Sequence, residues 1–243
     1  MTLYDSKDTI VYMAQYDKTT YTTEAGLTGS RNLHEATTFG SAGATFHPGT
    51  ETPTLSWSGL YDDGTSGSEV IVNALKGASS ESVISYYPGT DAIGKLSMAS
   101  GGAWIGEDPA VDASVGSLVA MSASINMGLV ARSKSTGTKS TITSSTSGTS
   151  IDDAASSSDG GSWVYHIFAL SAVGGSARWH LNLQHSSNNS SWSDVSTATV
   201  TASDGVGAAK TSFSGTLNRY VRQRVVLDAS SGSITFAISY NRA

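Results

Sequence analysis

From residue 162 to 243 the chain is a succession of short β-rich runs, each closed by turn-forming residues. "WVYHIFALSAV" ends at Gly174-Gly175, and "ARWHLNLQHSS" ends at Asn188-Asn189. "SWSDVSTATVT" runs into "SDGVG", and "NRYVRQRVVLD" into "SSGS" before "ITFAISYNR". Strands at that spacing, with turn residues between them, indicate an antiparallel sandwich. The composition agrees. Only 14% of the residues are charged and 38% are hydrophobic, the rest being mostly Ser, Thr, Gly and Ala. Such material suits strands and tight turns and is poor for long helices. At 243 residues the chain can form one large all-β domain or two ordinary ones.

The chain has no cysteine. Disulfide frameworks, zinc ribbons, iron–sulfur sites and thiol catalysis are therefore excluded. A net charge of −6 argues against an electrostatic nucleic-acid binder. "MTLYDSKDTI" lacks the basic region and apolar core of a signal peptide, and no apolar run approaches membrane-spanning length. The expectation is a soluble protein made in a cytoplasm, for which the sequon-like "NNSS" is a turn.

The first half carries strand signals of its own. "TIVYMAQYD" (Thr9 to Asp17) and "SVISYYPG" (Ser82 to Gly89) are β-rich. From Thr52 to Gly64 the alternation is strict: Leu55, Trp57, Gly59 and Tyr61 take one face, and Thr54, Ser56 and Ser58 the other. "GSLVAMSASINMGLVAR" is the longest strand candidate, with Val119, Met121, Ala123 and Ile125 opposite Ser122, Ser124 and Asn126. One helix is expected: Ser66 and Glu69 stand at capping-box spacing, Val70, Ile71, Ala74 and Leu75 form an apolar stripe, and Gly77 supplies the stop. Residues 132–161, nearly all small and polar, read as a linker or surface excursion with at most a short edge strand at Thr141 to Thr143. The expected organisation is thus a β domain over 1–131, the polar segment 132–161, and a C-terminal β-sandwich over 162–243.

Catalytic patterns fail on inspection. "GTDAIGKL" resembles a P-loop, but Leu96 stands where a Mg²⁺-binding hydroxyl is needed. The required helix is missing too, since "SMASGGAW" is a poor helix former, and "GTDAIGKL" reads as a Gly-rich loop between strands. "HEATT" begins like a zinc helix, but Thr38 replaces the second histidine. His180 and His185 are five apart on one strand, so they point to opposite faces and cannot converge. Asp62-Asp63 and Asp152-Asp153 read as turn carboxylates rather than a calcium site, and no metal or cofactor is expected. A glycan hydrolase built on Glu51, Asp62 and Asp63 lacks a fixed separation across a cleft, so no enzymatic role is expected. Arg222 and Arg224 share a strand face and read as solvated or as salt-bridge partners.

The stretch "LHEATTFGSAGATFHPGTETPTLSWSGLYDDG", with "YYPGTDAIG" and "SLVAMSASINMGLV" after it, resembles the tail tube proteins of long-tailed bacteriophages. The C-terminal half, with "LQHSSNNSSWSDV", is similar to β-sandwich modules appended to phage structural proteins. The resemblance implies a mainly β tail-tube fold of sandwich or barrel type with one short helix. It also implies a virion role: subunits assembled in the host bacterial cytoplasm into stacked, usually hexameric rings that conduct DNA without binding it specifically. Partners would be the chain itself and other tail proteins such as the tape measure and terminator, with no membrane. Four lumen strands from each of six subunits, ~24 strands at ~4.8 Å, give a diameter of ~37 Å before tilt. After roughly 10 Å of side chains, a duplex on the order of 20 Å across still passes. On this reading Thr54, Ser56, Ser58, Ser122, Ser124 and Asn126 face the lumen. The polar stretch Ser41 to Thr52, with Ser41, Thr45, His47, Thr50 and Glu51, forms a loop between rings that orders on assembly. The alternative is a head decoration or fibre-like protein whose sandwich binds carbohydrate; Trp163, Trp179 and Trp192 are the stacking candidates, with core packing the stronger reading for Trp179, which shares a face with Leu181 and Leu183.

Overall fold

The computed structural model describes residues 6–38, 43–76 and 82–243. Its strands are β1 (Ile10–Met13), β2 (Tyr16–Asp17), β3 (Thr22–Glu35), β4 (Phe46–Leu60), β5 (Ser82–Tyr87), β6 (Leu96–Ala103), β7 (Ala110–Asp112), β8 (Ala120–Asn126) and β9 (Val130–Ser135). Then follow β10 (Ser140–Ile142), β11 (Thr146–Ser147), β12 (Ile151–Asp152), β13 (Gly161–Val173), β14 (Arg178–Ser186), β15 (Ser193–Thr201), β16 (Gly207–Phe213), β17 (Tyr220–Asp228) and β18 (Ser231–Arg242). A single α-helix, α1 (Ser68–Ala74), interrupts them among the described residues. The fold is mainly β with antiparallel sheets, as the turn spacing requires.

The chain separates into two compact units, and the division differs from the three-part organisation expected from composition. One unit contains 1–20, 82–101 and 131–243; the other contains 21–81 and 102–130. The larger unit is a sandwich. A nine-stranded sheet in the order β16-β13-β18-β9-β6-β5-β1-β2, with β10 on β18, faces a five-stranded sheet in the order β11-β17-β14-β15, with β12 on β17. Between them lie Trp163, Ile167, Phe236 and Ile238 from one sheet and Trp179, Leu181, Leu183, Val221 and Val225 from the other. The alternation of "RWHLNL" thus delivers its apolar face to the core. The nine-stranded sheet curls so that β5 comes against β16, with Val83, Ala99, Val164 and Ala208 packed together.

Residues 132–161 are not a linker. β9 and β10 pair with β18, and β11 and β12 pair with β17. Ser133, Ser135 and Thr136 are buried. Partners distant in sequence satisfy two of their hydroxyls: Ser135 Oγ donates to the Asp91 carbonyl at 2.6 Å, and Thr136 Oγ1 donates to Gln223 Oε1 at 2.5 Å. Small polar side chains can be core when every hydrogen bond finds a partner.

The smaller unit is a four-stranded antiparallel sheet in the order β3-β4-β8-β7, with α1 packed against β8. Leu55 and Trp57 are 0% and 1% exposed, and Met121, Ile125, Ile71 and Val72 are buried with them. Trp57 Nε1 donates to Thr22 Oγ1 at 2.8 Å, which satisfies the indole's one polar atom. Gly59 makes that packing possible: a Cβ there would lie 2.5 Å from Trp57 Cζ2 and 2.6 Å from the Tyr21 carbonyl oxygen.

Two sequence expectations fail. The capping box does not form: Gly67, in extended backbone, is the N-cap and makes no side-chain cap, while Ser68 Oγ donates to the Leu60 carbonyl and Glu69 accepts from Asn73. Gly77 lies outside the described residues. The long run from Gly116 to Arg132 is two strands, β8 and β9, broken at Gly128, whose φ of 56° turns the chain. The Gly-rich stretch 89–95 is a loop between β5 and β6, as expected, and β6 after it is buried at Ser97, Ala99 and Ser100.

Candidate functional site

The six residues singled out as lumen-facing come together. In the β4–β8 ladder Thr54 stands opposite Asn126, Ser56 opposite Ser124, and Ser58 opposite Ser122. Directly opposed residues share a face, so the two polar sets form one surface. Strand β3 extends it, since Glu24 pairs with Ser58, Gly26 with Ser56 and Thr28 with Thr54. Strand β7 adds Ala110 beside Ser122 and Asp112 beside Ala120. Across these rows the side chains are small and uncharged except for Glu24, Asp112 and the apolar Leu60 opposite Ala120. Ser56, Ser124, Thr28 and Glu24 are exposed, and the other members of the six are half-buried. Trp104, 49% exposed, bridges to Asn126 at the end of the surface. Nothing in "GGAWIG" signals that strand context, so this residue is not legible from sequence.

The outer edges of β3 and β7 have no strand partner among the described residues. The rest of the 14-residue β3 and the 15-residue β4 continues beyond the sheet as a two-stranded arm. There Arg31 pairs with Glu51, Leu33 with Pro48, His34 with His47 and Glu35 with Phe46. Arg31 and Glu51 form an ion pair at 2.9 Å, and Thr45 N donates to Thr37 Oγ1 at 3.1 Å. The stretch expected as a disordered loop is therefore largely strand, because β3 supplies the backbone partners. His47, Thr50 and Glu51 lie in β4 and Thr45 just before it; Ser41 lies outside the described residues.

The arm carries apolar residues in the open. Leu33, Pro48 and Phe46 lie on one of its faces, with Leu33 64% and Phe46 52% exposed. Val111, Val115, Leu118 and Leu129 in the same unit are also more than half exposed. In the larger unit Val173 alone among the described large hydrophobics is exposed to that extent. Apolar surface concentrated in this way marks an interaction region.

The residues weighed for chemistry have structural employment. Asp91, in the P-loop-like stretch, accepts from Tyr12 Oη and from Lys139 N, each at 2.7 Å. Asp62 Oδ1 accepts from Gly64 N in a turn. Asp152 forms a two-pronged pair with Arg219, whose guanidinium holds the carboxyl down at about 2. Asp153 is not a solvated turn carboxylate, since its side chain is only 4% exposed. Ser85 Oγ and His166 Nε2 are 2.7 Å apart, but both residues are buried. His166 Nδ1 donates to the Ala14 carbonyl, so Nε2 accepts from the serine, and burial holds the imidazole neutral with a pKa near 4. This fixes a neutral core tautomer and gives the serine no route to a substrate. No group of three or more metal-ligating side chains occurs among the described residues. Of the tryptophans considered for sugar stacking, Trp163 and Trp179 are fully buried, and the Trp192 ring is covered by the Arg222 guanidinium at 4.1 Å.

No protein-family model and no curated protein matches the sequence. Among solved structures the chain is similar to a component of the virion of a native gene transfer agent particle, at 11% identity and a TM-score of 0.42, over 54% of this chain and 98% of that one. It is also similar to the Dit protein of SPP1, described as a hub adsorption apparatus in phages infecting Gram-positive bacteria, at 13% identity and a TM-score of 0.33, over 94% and 98%. A third similarity, at 12% identity and a TM-score of 0.22, is to the infectious bursal disease virus Gx strain, over 98% of this chain and 59% of that one.

Proposed function

We propose that this chain is a structural protein of a phage-type virion, and more specifically a subunit of the stacked rings that form a tail tube. The single observation that carries the reading is the registered polar surface on β3, β4, β8 and β7: a small, uncharged or acidic face on a sheet whose two edges lack strand partners among the described residues. Unpaired edges on exposed sheets invite pairing with another chain. Strand addition between copies around a ring satisfies those edges and turns one face of the sheet into the wall of a conduit. A wall without cations lets a phosphate backbone slide, whereas a basic wall would hold it by releasing counterions. The apolar arm then reaches another subunit. On this reading the chain works by assembling and carries out no reaction of its own.

Negative-stain microscopy over a concentration series tests the proposal. Rings or tubes of uniform width are the expected result, and one sharp monomeric boundary in ultracentrifugation at every concentration refutes it.

A further inference from the structure

A cleft of about 240 Å³ opens in the larger unit where β9 meets the end of β18 and the residues after β12. Arg132, Lys134, Asp153, Tyr240, Asn241 and Arg242 line it. β9 alternates cleanly: Ser133 and Ser135 are buried, and Arg132 and Lys134 are exposed on the opposite face. Lys134 pairs with Tyr240 across the ladder, and Arg132, two residues before Lys134, and Arg242, two residues after Tyr240, line the same cleft. Cross-strand neighbours share a face, so three cations gather around one carboxylate.

That carboxylate is fully engaged. Asp153 accepts from Lys134 Nζ at 2.5 Å, from Arg242 Nε at 2.7 Å and from Tyr240 Oη at 2.8 Å. Burial raises its pKa, but the hydrogen bonds from Lys134, Tyr240 and Arg242 outweigh burial and hold it ionised. Arg242 is fixed as well, donating to the carbonyls of Leu217 and Asn218 at 2.8 and 2.6 Å. The Arg132 side chain has no hydrogen bond or ion pair among the described residues. Three positive groups less one negative leave a formal +2 in a chain whose net charge is −6. Like charges gathered in one cleft repel, so the pocket is short of a counter-charge.

We propose that this cleft binds a compact multivalent oxyanion of the phosphate type. Arg132 presents a free planar fork that suits two oxygens of such a group. Lys134, whose side chain is 47% exposed, turns from Asp153 toward the anion, while Tyr240 and Arg242 keep the carboxylate satisfied. The site lies in the sandwich unit and is independent of the tube reading.

The test is a titration of the full chain with inorganic pyrophosphate against sodium chloride at matched ionic strength, followed by calorimetry and arginine side-chain resonances. One saturable site is expected, with affinity reduced at least tenfold by Arg132→Ala, partly restored in Arg132→Lys, and reduced in Lys134→Ala. Because Arg132 is exposed, its alanine variant keeps the wild-type melting temperature, which separates lost binding from lost folding. Glycerol phosphate as a second ligand decides the source: binding extends the site to phosphate carried on a larger molecule, and failure to bind confines it to the free anion, while the site stands in either case. Equal responses to chloride and pyrophosphate, or unchanged affinity in Arg132→Ala, overturn the proposal.

Discussion

The β3–β4 arm offers the sharpest test of assembly, through Leu33→Ser combined with Phe46→Ser. Full burial of a Leu or Phe side chain is worth about 1.5–3 kcal/mol. Leu33 is 64% and Phe46 52% exposed, so covering both in a neighbour's groove would gain about 2–3 kcal/mol per subunit. At about 1.4 kcal/mol per factor of ten, their loss raises the critical concentration for assembly roughly 30- to 150-fold. The folded subunit should be nearly unaffected, since exposed substitutions usually stay within about 0.5 kcal/mol. Light scattering across a dilution series gives the critical concentration, and urea denaturation gives the stability. An unchanged critical concentration with a normally folded variant would refute the assignment of the arm to an interface. Loss of stability by several kcal/mol would instead show that the arm is packed within the subunit.

Three further outcomes follow from the geometry. Gly59→Ala should destabilise the smaller unit by about 1–3 kcal/mol through overpacking against Trp57 and Tyr21; in a Trp57→Ala background only the Tyr21 clash remains, so a double-mutant cycle followed by hydrogen exchange should show non-additivity, and strict additivity would contradict the Gly59–Trp57 contact. His166 has a folded-state pKa near 4, below its ordinary 6.5, so the unfolded chain binds the extra proton between those values. Stability should therefore fall with pH from 6.5 toward 4, by about 3 kcal/mol in all, and His166→Asn should flatten the slope in acid-range urea titrations. Ser56→Lys places a cation beside Ser124 and Gly26 on the polar surface. Assembled variants should retain duplex DNA in co-sedimentation, with retention lost as salt rises by a slope of about −0.9 per phosphate contacted; DNA passing through unchanged would remove that surface from the conduit wall.

What the sequence discloses depends on the kind of pattern. Strict alternation around Leu55, Trp57, Met121 and Ile125 makes the inner face of the smaller sheet readable, and with it the opposite polar face. That the two polar sets lie in one register is not readable, because pairing between strands some 66 residues apart is a tertiary fact. β3 is silent because "TTEAGLTGSRNLHE" lacks an apolar alternation, its strand state coming from the ladder with β4. Segment 132–161 reads as a tether because serine and threonine carry no burial signal. Their placement follows from partners such as Asp91 and Gln223, which lie far along the chain. Asp153 misleads for the same reason: its three donors come from β9 and β18, not from its own turn.

The position of β18 has a consequence for how the subunit is made. It lies in the interior of the nine-stranded sheet, between β13 and β9, although most of the chain is synthesised before it. A polypeptide interrupted before Ser231 lacks a middle plank and presents two facing rows of open amides and carbonyls. Translation at about 5–20 residues per second leaves the strands upstream waiting for it. Prematurely terminated copies are thus barred from completing the sandwich.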